Sequence, residues 1–186
     1  NARTKYTSHE VQTSFIPELE DLNIKVFGTI PEDRKLLSAT VDQVVKHLNG
    51  KYVLKINERS SELIENFLVG GWIMDDGSLY FSTKDNKAVI TRGDRPDLQM
   101  SALNTKTACL IMTKGINPIE YVEYEAQEEG VSIVVVDKDT LNTMESLDSL
   151  IDVAKFDHNL KLERLHELIE SEVDSNSLLD AIGIAS

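Results

Sequence analysis

The sequence has 186 residues, of which 41% are apolar and 27% are charged, and this suits one globular domain with extra helices at an end. Its 19 Lys and Arg residues stand against 32 Asp and Glu residues, so the formal charge of −13 disfavours a nucleic-acid partner. The longest apolar runs have the length of strands, so we expect no membrane span and no membrane partner.

The first half of the chain carries both helical and strand-like patterns. Apolar residues at helical spacing predict a helix within 8–23, where Pro17 must lie near a helix start or at a break. The β-rich run 24–31, which ends in a proline, predicts a strand. The segments that follow are a capped helix at 38–50, a strand at 52–56 and a short helix at 78–82. Between them the pattern of 63–72 is ambiguous, and 68–73 suits a buried strand that bends at its glycines.

The second half is more regular. Three apolar runs of strand length lie at 87–91, 107–113 and 131–136, and two segments of helical composition, 96–104 and 118–129, separate them. Strands that are buried on both faces and separated by helices indicate βαβ crossovers. The predicted fold is therefore α/β, with a mainly parallel sheet in three layers and additional C-terminal helices.

The predicted organisation has three parts. Residues 1–23 form a helical segment or the remnant of a preceding domain, 24–155 form the α/β domain, and 156–186 form a C-terminal helical extension. Thr140 and Asp157 are the predicted N-caps of the last helices. The single cysteine, Cys109, lies in an apolar run, which excludes a disulfide framework, and we expect a cytoplasmic location.

The segment 90–97 joins a predicted strand to a predicted helix, at the edge of a parallel sheet where ligands gather. Gly93 permits a tight turn with positive φ, and the amides at the helix start can receive an anion. A similar turn recurs at 113–118, and two such turns can line a shared shallow cleft. The candidate ligand-binding residues are Thr91, Gly93, Asp94, Arg95, Asp97, Thr113 and Gly115.

A structural explanation accounts for the same residues. Asp94 can cap the helix, Pro96 can fix its first turn, Asp97 can complement the helix dipole, and Arg95 can pair with a neighbouring carboxylate. The spacing alone favours this explanation over a binding site.

The two turns also resemble a known family. Val89-Ile90-Thr91-Arg92-Gly93-Asp94-Arg95 and Leu110-Ile111-Met112-Thr113-Lys114-Gly115 are similar to the paired strand ends of the DRTGG domain family. The chain has Pro96-Asp97-Leu98 where Thr-Gly-Gly would follow Arg95. That variant looks like the branch joined to dethiobiotin-synthetase-like P-loop domains, including the N-terminal half of long phosphate acetyltransferases. Segments 26–34, 139–143 and 156–158 also resemble that branch.

The resemblance implies a regulatory or assembly module of a larger nucleotide-dependent protein, with P-loop or other domains as partners and a nucleotide as ligand. The sequence has no Gly-x-x-x-x-Gly-Lys-Ser/Thr loop for ATP. Cys109 lies mid-strand and the four histidines show no metal-ligand spacing, so we expect no catalytic residue, no metal and no resident cofactor. Asp75-Asp76-Gly77 is typical of a turn.

Two non-enzymatic hypotheses stay open at this point. In the first, the cleft between the two turns binds a nucleotide or another small anion and biases attached domains. In the second, the chain is a homodimer or another assembly, held through residues 63–73, which include Trp72, or through the helix predicted within 157–173.

Overall fold

The computed structural model describes residues 5–71 and 77–184. The helices are Lys5–Glu10 (α1), Ile16–Asp21 (α2), Arg34–Leu37 (α3), Val41–His47 (α4), Ser78–Phe81 (α5), Pro96–Leu103 (α6), Glu120–Glu128 (α7), Thr140–Asp148 (α8), Asn159–Glu172 (α9) and Ser175–Ala181 (α10). The strands are Ala39–Thr40 (β1), Lys51–Leu54 (β2), Leu63–Ile64 (β3), Asn66–Gly70 (β4), Lys87–Arg92 (β5), Thr107–Thr113 (β6) and Ser132–Val135 (β7). Shorter helical turns are Val11–Phe15, of π type, and Asn57–Arg59 and Leu150–Asp152, both of 3-10 type.

The chain divides into two compact units, residues 37–155 and residues 1–36 with 156–186. In the described part of the first unit, five strands form a sheet in the order β2-β7-β6-β5-β4. Strands β4 to β7 are parallel, whereas β2 pairs antiparallel with β7 at the edge. The predicted mainly parallel sheet is confirmed, and the predicted domain boundaries remain predictions.

The sheet of this unit is covered on both faces, as the apolar runs predict. Alternate residues of β5 point to opposite sides, so Ile90 packs in a cluster with Val44 and Leu150, and Val89 packs in a second cluster with Leu98. The first layer contains α4 and the end of α8, and the second contains α5, α6 and α7. The three-layer α/β prediction is confirmed.

Helix starts in the structure follow local side-chain chemistry. Thr40 and Gln43 form a reciprocal capping box at the start of α4. The predicted caps of the last helices are each wrong by one residue. Asp139, not Thr140, accepts the Asn142 amide at 2.9 Å, because its carboxylate reaches the exposed amides of the first turn. The imidazole of His158, which follows Asp157, accepts the Leu160 amide at 3.2 Å.

The second unit is mainly helical, and the predicted helix within 8–23 is confirmed, with Pro17 in the first turn of α2. The strand predicted at 24–31 is wrong, because among the described residues this run forms no strand and pairs Gly28 with Val173 in an isolated antiparallel bridge. A Cβ on Gly28 would lie 2.1 Å from the Glu172 carbonyl oxygen, so this approach requires glycine. Within residues 5–71 and 77–184, no helix is both long and apolar enough to cross a membrane.

Candidate functional site

The candidate site consists of two strand–helix connections at one edge of the sheet. The first turn, residues 91–97, follows β5, and the second turn, residues 113–117, follows β6. The two strands are parallel neighbours, and Arg92 is in register with Thr113. Both turns therefore lie at the carboxyl ends of strands, where open α/β sheets bind their ligands.

The two turns pack directly against each other through Gly93. A Cβ on Gly93 would lie 2.3 Å from the carbonyl oxygen of Ile116 and 2.5 Å from its Cβ. Gly93 does not adopt the positive φ that a glycine permits; among the described residues of the two turns, φ is positive at Lys114 and Gly115. Gly93 is required because the backbone of the second turn occupies the space of a side chain.

The amides of the second turn are already bonded. The amide of Lys114 donates to the Lys138 carbonyl at 2.8 Å, and that of Gly115 donates to the Val136 carbonyl at 2.9 Å. The left-handed conformation of Lys114 and Gly115, with φ of 69° and 65°, directs both amides towards the segment after β7. The second turn is therefore held to the fold and does not offer these amides to an anion.

Both arginines of the first turn form ion pairs within the turn. Nε of Arg92 lies 2.8 Å from Oδ1 of Asp94, and its Nη2 contacts Oδ2. Nε and Nη2 of Arg95 lie 2.9 Å and 2.7 Å from the two oxygens of Asp97. These hydrogen bonds from Arg92 and Arg95 are the main causes that lower the pKa of the Asp94 and Asp97 carboxyls.

These contacts agree in part with the structural explanation of the motif, in which its residues only start and stabilise a helix. Pro96 lies in the first turn of α6, and Arg95 pairs with a carboxylate. The residue that precedes α6 is Arg95, so Asp94 is not the cap that the spacing suggested, because its carboxylate is held by Arg92. Asp97 lies in the first turn of α6, and besides the bond from Arg95 the backbone amides of Leu98 and Asp97 help to lower the pKa of its carboxyl.

Two buried polar side chains lie below the first turn. Gln99 is completely buried, and its Nε2 donates to the carbonyls of Arg92 at 2.9 Å and Gly93 at 3.1 Å. Its Oε1 and the Oγ1 of the equally buried Thr91 have no hydrogen-bond partner within the described part of the chain. Such atoms are rare in native folds, since buried polar groups are nearly always bonded.

Gln99 was not among the residues predicted from the sequence. It precedes Ala102 and Leu103 by three and four positions, so it lies on the buried face of α6. A polar side chain on the apolar stripe of a helix was the signal that could have identified it.

The two threonines of the motif lie on opposite faces of the sheet. Thr91 is in register with Met112, which packs in the layer of α6. Thr113 is the next residue along β6, so it points to the other face, where its Oγ1 is 3.1 Å from the Oγ1 of Thr140. The structure brings Gly93, Asp94, Arg95 and Asp97 together with Thr91, but Thr113 faces α8 instead.

The nucleophilic and metal-binding residue types are dispersed. Burial raises the pKa of the Cys109 thiol to about 12, so this side chain is an inert part of the core. The imidazole Nε2 of His47 donates to the Ser146 carbonyl at 2.7 Å. Among the residues that the structure describes, no three His, Cys, Asp or Glu side chains are placed to hold one metal ion. Trp72, Asp75 and Asp76 lie outside the described residues.

A polar groove of about 590 Å³ lies at the opposite edge of the sheet, and the sequence did not predict it. Lys106, Asp85 and Arg59 line it, together with residues at the carboxyl end of α6. Lys106 and Asp85 pair at 3.1 Å, and Arg59 donates to the Gly130 carbonyl at 3.0 Å. Lys106, Asp85 and Arg59 are therefore engaged with partners within the fold.

The paired turns can now be compared with known proteins. The family model of the DRTGG domain matches residues 43–150, which is more than half of the chain and includes both turns. The chain belongs to the DRTGG domain family. The resemblance noted from the two strand ends is thereby confirmed, and so is the predicted relation to phosphate acetyltransferases.

A curated enzyme supports that relation. The phosphate acetyltransferase of Nitratidesulfovibrio vulgaris (strain Hildenborough) is 28% identical over 159 residues, which cover 80% of this chain. The matched part is only 22% of that enzyme. The DRTGG chain thus corresponds to about a fifth of its relative.

A solved structure has the same fold. It contains the CBS and DRTGG domains of the regulatory region of Clostridium perfringens pyrophosphatase, complexed with an activator, diadenosine tetraphosphate. The TM-score is 0.54 at 16% identity, and the match covers 86% of this chain and 82% of the other. At this identity the likeness shows the DRTGG fold alone.

Proposed function

We propose that this DRTGG chain is a non-catalytic regulatory module of a larger, nucleotide-dependent protein of the phosphate acetyltransferase type, located in the cytoplasm. Its ligand is a nucleotide or another small anion, which binds at the first turn. P-loop domains of the dethiobiotin-synthetase-like class are the proposed neighbours in that larger protein.

One observation carries the proposal. The first turn combines two arginines, the start of α6 and two buried polar atoms that have no partner among the described residues, all at the carboxyl edge of a parallel sheet. Guanidinium groups and exposed helix starts are the groups that proteins use for phosphates. The solved pyrophosphatase regulatory region, which was crystallised with a nucleotide activator, lends the proposal indirect support.

The dispersed nucleophiles support a role without catalysis. Cys109 is buried with a raised pKa, and His47 and His158 serve as hydrogen-bonding groups at helix ends. A regulatory module needs none of these groups for chemistry, since it acts through the free energy of binding.

Isothermal titration calorimetry of the whole chain tests the proposal. We expect heat of binding with ADP, ATP or diadenosine tetraphosphate, and loss of that heat in Arg95→Ala. Lys106→Ala is the matched control, because Lys106 is also an ion-paired surface cation but lies at the opposite edge. Absence of binding across these nucleotides and inorganic pyrophosphate would show that the proposed ligand class is wrong.

Homodimerisation is the second candidate, and one observation favours α9 as its surface. Leu160 and Leu162 of α9 are 45% and 51% exposed, although large aliphatic side chains are usually buried. The alternative surface within 63–73 is weakened, because Leu63 and Ile64 are buried in the pairing of β3 with β1. Light scattering should give the mass of a dimer, and Leu162→Glu should shift it to the monomer. A monomeric wild-type chain at high concentration would remove this candidate.

A further inference from the structure

The anion-binding groups of the first turn are occupied by the chain itself. Arg95 presents Nε and Nη2 to Asp97 in the two-pronged geometry that guanidinium groups also adopt with phosphate. Asp97 also lies in the first turn of α6, where the exposed amides of a helix start favour a negative charge. A phosphate at a helix start would take the same donors. Asp97 therefore lies where an oxyanion ligand would bind.

The buried polar atoms below the turn indicate what else the ligand carries. Gln99 Nε2 holds the carbonyls of Arg92 and Gly93, so its amide group lies directly at the turn, and the Oε1 of the same amide has no partner within the described chain. Thr91 lies near the end of β5, and its Oγ1 also has no hydrogen-bond partner within the described chain. An amide oxygen is an acceptor and a hydroxyl can accept or donate, so both atoms fit the hydroxyl or amino hydrogens of a ligand.

We propose that the first turn binds a phosphate-bearing ligand with hydroxyl or amino donors, such as a nucleotide, by exchange for the Asp97 carboxylate. The phosphate replaces the carboxylate at Arg95 and at the start of α6, and the donors bond to Thr91 and Gln99. Thr91 and Gln99 are fully buried, so ligand entry requires the first turn to open, and it occurs together with the release of Asp97. This inference rests on the proposed function. It adds the chemical class of the ligand and identifies the Asp97 carboxylate as the group that competes with it.

Asp97→Asn tests the exchange, since an amide retains the size of the carboxylate but loses its charge. We expect inorganic pyrophosphate to bind about three- to tenfold more tightly to Asp97→Asn than to the wild type, because a surface ion pair and a like-charge repulsion are removed. Asp85→Asn is the matched control: it removes the same charge from a similarly exposed ion pair at the opposite edge, and it should change the affinity less than twofold.

Thr91→Val tests whether Thr91 binds the hydroxyl or amino groups of the ligand. The substitution removes no hydrogen bond that the structure shows at Oγ1. Its melting temperature should equal or exceed that of the wild type, which separates a binding defect from a folding defect. We expect ADP to bind about fivefold more weakly, with pyrophosphate unchanged, since one hydrogen bond to the ligand is lost. Adenosine, which lacks the phosphates, should bind more weakly than ADP.

The outcomes distinguish this inference from the proposed function. If the wild type binds ADP and Asp97→Asn binds pyrophosphate no more tightly, the exchange is wrong and the proposed function stands. If Thr91→Val binds ADP as the wild type does, or adenosine binds as tightly as ADP, the ligand class is wrong. If neither the wild type nor Asp97→Asn binds any of the probes, the proposed function and the inference both fail.

Discussion

Replacement of Gly93 by alanine perturbs the contact that joins the two turns. The added Cβ would lie 2.3 Å from the Ile116 carbonyl oxygen and 2.5 Å from the Ile116 Cβ. The first distance is about 1 Å short of ordinary van der Waals contact, and the opposing atom is backbone, so the second turn must move. Lys114 and Gly115 hold that turn to the segment after β7 by hydrogen bonds, and these bonds resist the movement.

The magnitude follows from two opposing effects. Overpacking in a well-packed region costs about 1–3 kcal/mol of the free energy of unfolding. Alanine restricts the unfolded chain more than glycine does, which returns about 0.4–1 kcal/mol. Gly93→Ala should therefore destabilise the protein by about 1–2 kcal/mol. Gly71→Ala is the matched control, since no described atom lies within 4 Å of the Cβ that it would add, and it should be neutral or slightly stabilising.

Urea unfolding followed by far-ultraviolet circular dichroism measures both variants, and the melting temperature should fall by roughly 2–4 °C per kcal/mol for a chain of this size. Gly93→Ala should also weaken nucleotide binding, because the first turn shifts with the second. A Gly93→Ala variant as stable as Gly71→Ala would show that the close approach of the two turns does not constrain this position.

Three further predictions concern other parts of the chain. The Cys109 thiol, whose pKa burial raises to about 12, should react with a disulfide reagent at pH 8 only after denaturant is added. Thr40→Ala should lower the free energy of unfolding by about 1 kcal/mol through loss of the α4 capping box, whereas Thr40→Ser should preserve it. Burial raises the pKa of Asp33, but the hydrogen bond from Arg164 and the neighbouring amides outweigh this effect and hold it below 3.8. Its stabilising effect is therefore present above about pH 4 and is lost as the pH falls through the lowered pKa. Arg164→Gln should raise the pKa of Asp33 in an NMR titration, and an unchanged value would contradict the pairing.

The centre of the sheet was predictable because strands that are buried on both faces contain continuous apolar runs. The centres of these strands are apolar, and the helices between them begin at or near prolines. The apolar stretches are Ala88–Ile90 in β5, Ala108–Met112 in β6 and Ile133–Val135 in β7. The edge was less predictable: β2 is half exposed and pairs antiparallel with β7, which no local pattern specifies. Pairing order depends on contacts between distant segments, and periodicity reports only one segment at a time.

The run 24–31 shows why composition alone failed. Its apolar residues are typical of a strand, yet among the described residues it forms no strand and pairs Gly28 with Val173 in an isolated bridge. β propensity describes a half-buried pleated surface, and a segment without neighbouring strands cannot realise it. The first turn shows the same limit at the site, because its motif was visible but the partners of Asp94 and the burial of Gln99 depend on the folded structure.

The net charge of the chain and the ion pairs within the first turn together affect which anions the turn can bind. With a net charge of −13, the protein repels anions at long range, and Arg92 and Arg95 do not offset this repulsion locally because Asp94 and Asp97 neutralise them. The repulsion weakens with salt, since the Debye length falls from about 30 Å at 0.01 M to about 8 Å at 0.15 M ionic strength. In the proposed exchange, a ligand must then displace a carboxylate that is already bonded in two-pronged geometry. Chloride cannot match that geometry and a phosphate group can, so the carboxylate that competes with the ligand would also select against chloride.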